Sequence, residues 1–117
     1  MTVQFRRPVR LNAPQVFKYT FKDQDGQVIP LTDFLSVTLH LKLQGSLEVT
    51  PPVDAAFLDP RTNGQVQSLL WVPTTKGLWL AQFIAIDSSN NELPGEPLLF
   101  NVVANVSDLA LNETLPY

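Results

Sequence analysis

Apolar and polar side chains alternate in short runs along most of this 117-residue chain. The cleanest run is 34–43, where Val37, Leu39, Leu41 and Leu43 alternate strictly with Thr38, His40 and Lys42. A period of two sends successive side chains to opposite faces, so this run predicts a strand with one face on a core. Residues 15–21 read the same way, with Phe17, Tyr19 and Phe21 on one face and Lys18, Thr20 and Lys22 on the other. In 65–72, Val66, Ser68, Leu70 and Val72 fall opposite Gln65, Gln67, Leu69 and Trp71. Residues 78–86 are apolar on both faces, as a central strand covered on each side requires. Residues 98–106 supply the last strand, 5–11 the first, and 53–58 form a short apolar stretch between turns.

Turn chemistry separates these runs. Asp23-Gln24-Asp25-Gly26 offers a glycine for positive φ, and Asn63-Gly64 favours the left-handed conformations of a reversal. Residues 73–77 close another run, and 88–95 read as an open polar loop. About seven strands, with turn signals roughly every 8–12 residues, predict an all-β fold and a β-sandwich, with a small barrel as the alternative closure. Strand order does not follow from the pattern.

Composition sharpens this picture. Ten prolines argue against long helices, because proline lacks an N–H and clashes with the preceding turn. With 44% hydrophobic and only 16% charged residues, the surface must be finished by Gln, Asn, Ser and Thr, and in part by partners. The length suits one domain spanning 1–117, with possible interaction arms at 1–11 and 107–117. Cysteine is absent, which excludes disulfides and thiolate metal sites. Residues 1–11 lack the apolar core of a signal peptide and no stretch approaches the length of a membrane span, so a soluble, cytosolically made protein with no membrane partner is expected. The net charge of -3 is uneven. Residues 1–42 carry six basic and three acidic side chains, and 43–117 carry two and eight. That polarity suits head-to-tail stacking of copies, and equally suits solvated charges scattered by the fold. Arg6, Arg7 and Arg10 are too few to imply nucleic acid.

Candidate chemistry is sparse. His40 is the only histidine, on the polar face of its strand, with no nucleophile or orienting group indicated beside it. Asp23, Asp25, Asp54 and Asp59 sit near turns, where aspartate serves backbone geometry. No metal, phosphate-loop or hydrolase motif occurs, so neither an enzyme nor a cofactor is expected. Trp71 falls out of phase with Val66, Leu70 and Val72, which leaves three roles open: a protein interface, local packing, or a sugar platform. Trp79 alternates with Ala81, Phe83 and Ala85 and is expected in the core. Leu78, Leu80, Ile84 and Ile86 need cover on the other face and point to a partner.

Leu31 and Thr32 enter the alternating strand at Val37 and Leu39. Asn63, Gly64 and Val66 lead to Trp71; Gly77, Trp79 and Phe83 follow, and Pro94 or Pro97 precedes the final strand. This series, from Phe17 to Val103, resembles the N-terminal domain of upper baseplate proteins of siphophages and related tail modules. It departs from them at Thr74-Thr75-Lys76, where relatives carry an Asp-Thr step, and in the additional Asp33-Phe34-Leu35. The resemblance implies an immunoglobulin-like β-sandwich acting without catalysis as a structural part of a bacteriophage virion, in the tail or baseplate, assembled in the host cytoplasm. Its partners would be other virion proteins and copies of itself. Phe5, Arg7, Trp71, Leu111, Leu115 and Tyr117 are the expected interface residues. The alternative is a carbohydrate-binding or adhesin-like sandwich for host contact.

Overall fold

In the computed structural model, which describes residues 4, 5 and 7–104 with side chains from Arg7 onward, the alternating runs become strands of one sheet. The strands are β1 (Gln4–Phe5), β2 (Val9–Arg10), β3 (Lys18–Thr20), β4 (Phe34–Leu43), β5 (Val53–Phe57), β6 (Gln65–Ser68), β7 (Gly77–Asp87), β8 (Glu92–Pro94) and β9 (Leu98–Val103). A single 3-10 turn, Arg61–Asn63, lies between β5 and β6. The order across the sheet is β1-β9-β7-β4-β5-β6-β3, with β2 also on β9 and β8 on β7. The fold is therefore all-β, a curled and mostly antiparallel sheet.

β4 and β7 form its spine, paired from Phe34↔Asp87 to Leu43↔Trp79, with a register shift at Leu35 that leaves that side chain exposed. Their inner faces bury Val37, Leu39 and Leu41 against Trp79, Ala81, Phe83 and Ala85, as alternation predicts. The outer positions of β7 (Leu78, Leu80, Ile84 and Ile86) are half-buried. Curling carries β3 over this layer. Phe17 meets Phe100 of β9 at 5.4 Å between ring centroids, and Tyr19 stacks on Phe83 of β7 at 5.9 Å. The core thus lies between two ends of one sheet. Each of its fully buried large side chains, such as Phe21, Leu31, Leu39 and Phe100, contributes about 1.5–3 kcal/mol of transfer free energy.

The N-terminal segment holds both ends. Val9 and Arg10 pair in parallel with Val102 and Val103, and the Leu11 N–H donates to the Val103 carbonyl. Asn12 then turns at φ 64 and donates its N–H to the Pro73 carbonyl, after which Gln15 pairs with Trp71 and β3 pairs with β6. Asparagine tolerates this left-handed conformation better than most residues. One segment thus switches from the β9 edge to the β6 edge.

Two sequence expectations change. The count is nine strands among the described residues, where about seven were expected, because 5–11 divides into two short strands and 88–95 contains β8. The reason for β8 lies in its turn. Asp87 Oδ1 accepts the N–H of Ser89 and Asn91, the Asn90 N–H returns to the Asp87 carbonyl, and Asn90 takes φ 64. Asp23 builds the same loop with Asp25, Gln27 and Gly26 at φ 80. The second change is phase. Val66 and Ser68 point inward, Leu69 and Leu70 are both exposed, and Pro73 is buried, so an irregular step past Ser68 moves Leu70 and Val72 outward and Trp71 inward. Residues 105 and 106 of the last run lie outside the described residues.

Candidate functional site

The polar groups expected to be idle have local roles. His40 is exposed, and its Nε2 lies 2.9 Å from Thr38 Oγ1 on the same strand face. Among the described residues, no group of three or more His, Asp or Glu side chains is placed to hold a metal ion. An open groove of about 450 Å³ runs beside β3, lined among others by Lys18, Tyr19, Lys22, Gln65 and Glu96. Tyr19 forms its inner wall, and its hydroxyl accepts the Glu96 N–H at 2.8 Å. Burial pushes the Tyr19 phenol above its ordinary value, the Glu96 N–H draws it back down, and the Glu96 charge raises it. The phenol is therefore protonated at neutral pH and engaged in closing the loop onto β3. Gly95 makes this possible, since a Cβ there would sit 2.6 Å from the Tyr19 ring.

The most distinctive surface is apolar. Of seven exposed large hydrophobic side chains among the described residues, five are Leu47, Val49, Leu69, Leu70 and Val72. Topology gathers them at one end of the sheet. Leu47 and Val49 stand in the loop from Leu43, paired with Trp79, to Val53, paired with Leu39. Leu69 donates its N–H to the carbonyl of Asp54, beside the start of β5. Val72 precedes Pro73, whose carbonyl takes the Asn12 N–H. This is the end at which β4 and β9 finish and β5 and β7 begin. Leu47 and Val49 are 102% and 90% exposed, so the domain itself gives them almost no cover. The sequence contained this signal as two interruptions of alternation, Leu69-Leu70 and the apolar residues of 44–52, but the phase of 65–72 concealed it.

The expected interface residues fall in different places. Trp71 is half-buried and meets Trp79 at 5.2 Å, Phe100 at 5.9 Å and Phe17 at 6.1 Å between ring centroids, which makes local packing its observed role. Phe5 pairs through its backbone with Leu99, on the β9 edge, and Arg7 is exposed between β1 and β2. Leu111, Leu115 and Tyr117 lie outside the described residues. Trp79 is buried, as expected, and its indole N–H donates to the Thr75 carbonyl at 3.0 Å.

No protein-family model matches this sequence, and no curated protein does.

Proposed function

We propose that this chain is a non-catalytic assembly module, a structural component of a bacteriophage tail or baseplate built on an immunoglobulin-like β-sandwich. The observation that carries the assembly reading is the apolar end formed by Leu47, Val49, Leu69, Leu70 and Val72. Exposed aliphatic side chains gathered at one end are costly to leave in water and are a mark of protein interfaces. The virion assignment rests on the sequence resemblance between Phe17 and Val103. The curled antiparallel sheet agrees with the sandwich that this resemblance implies. Trp71, the aromatic residue on which a sugar platform would depend, is engaged with three other rings, which favours assembly over the carbohydrate alternative.

Light scattering over a range of concentrations tests assembly. The expected result is a discrete oligomer that Leu69→Lys with Leu70→Lys reduces to the 13.1 kDa monomer while thermal unfolding stays near wild type. A monomer at all concentrations, alone and with purified tail proteins, refutes the assembly reading. Mass spectrometry of purified particles tests the virion assignment, and its failure would leave an assembly module of another machine.

A further inference from the structure

We infer that the apolar end receives residues 105–117 of a second copy of this chain, an inference that rests on the assembly reading above. The first argument is position. β9 runs toward this end, with Val102 opposite Gly77 and the Val103 carbonyl bonded to Leu11 beside Pro73. The described chain therefore ends at Ala104, beside the patch. A copy facing that end is placed to receive the residues that follow.

Sequence supplies the second argument. From 109 to 117 the large apolar residues Leu109, Leu111, Leu115 and Tyr117 fall on odd positions, interrupted by Glu113, with Ala110, Asn112, Thr114 and Pro116 on the even ones. An extended segment with that pattern has one apolar edge, the complement of an exposed aliphatic surface. Thirteen extended residues reach about 40 Å, enough to cross from one domain onto its neighbour.

Charge is the third. Residues 105–117 contain Asp108 and Glu113 and no Lys or Arg. The receiving end carries exposed Arg10, Lys42 and Lys76, beside the finish of β9, the finish of β4 and the start of β7. Glu48 and Asp54 offset part of that charge, but the basic side chains flank the point where the segment leaves. Apolar contact supplies affinity and the basic rim sets orientation. When two copies face each other in this way the exchange is reciprocal and the interface closes on itself.

The absence of cysteine makes the test clean. Leu70→Cys and Leu111→Cys are purified separately as full chains, mixed and mildly oxidised. A cross-linked heterodimer is expected, several-fold more abundant than with Leu35→Cys in place of Leu70→Cys, because Leu35 is exposed beside the Phe34↔Asp87 pair at the other end of β4. Equal yields at both positions overturn the inference. A third chain carries both Leu70→Cys and Leu111→Cys, and a link that forms only within that chain also overturns the inference, since the segment then lies on its own domain. Light scattering of the unlinked protein separates the two readings. An oligomer without the heterodimer overturns this inference alone, and a monomer overturns assembly with it.

Discussion

Single atoms decide several local structures in this domain. Gly64 follows the 3-10 turn at φ 66, and a Cβ there would lie 2.7 Å from the Ile29 carbonyl oxygen. Backbone on both sides leaves nothing to yield, so Gly64→Ala should cost about 1–3 kcal/mol, measured by chemical denaturation. Tyr19→Phe removes the acceptor of the Glu96 N–H and should cost about 1 kcal/mol, with faster amide exchange confined to the loop before β9. Because the folded Tyr19 phenol is raised, its contribution is full below the unfolded value near 10 and is lost as pH rises through the folded value. Asp87 behaves with the opposite sign. The Asn91 N–H holds its carboxyl below the usual range against the opposing effect of desolvation, and the Asn91 side chain and the Ser89 N–H lower it further. Its stabilisation of the β7–β8 turn is present above the unfolded value near 3.9 and is lost as pH falls through the folded value. In an NMR titration the Ser89 and Asn91 amides should move together at a midpoint below that of free aspartate, and Asp87→Asn should abolish the step.

Strands were legible where alternation was long. The run at 34–43 became β4 without change of bounds, and β7 exceeds its expected range by one residue at each end, because both have a buried inner face that fixes the register. Two elements were misread for reasons visible in the residues. β8 was hidden because its turn uses Asn90 where the equivalent loop after Asp23 uses Gly26, and glycine is the louder turn signal. The run 65–72 was misread because periodicity was extended through Leu69-Leu70, a step at which the chain leaves regular pairing with β5 and resumes against Gln15, and this left the role of Trp71 open. The apolar end was concealed for the same reason, since Leu70 and Val72 were read in phase with Val66. As Trp71 joins Phe17, just before β3, to Trp79 of β7 and Phe100 of β9 through ring contacts, Trp71→Ala should destabilise the domain by about 3 kcal/mol in equilibrium unfolding. Leu70→Ala, exposed in the isolated chain, should change stability by less than about 0.5 kcal/mol while weakening assembly.

At the scale of the molecule, an all-β class follows from the sequence pattern, whereas the path of the sheet does not. Alternation records which face is buried and says nothing about which edges meet. Here the meeting is arranged by Asn12, a polar residue in a short segment with no periodicity of its own. The same segment sets how the domain bears load. β1 and β2 both run parallel to β9, so the two ends of the described chain leave adjacent strands in opposite directions. Tension applied between them loads several hydrogen bonds at once, along the strands, instead of opening them one after another like a zip. In single-molecule stretching the domain should therefore yield abruptly at one high force, and Leu11→Pro, which deletes the N–H bonded to Val103, should lower it. A part built in this way can sit in line with a mechanical pull.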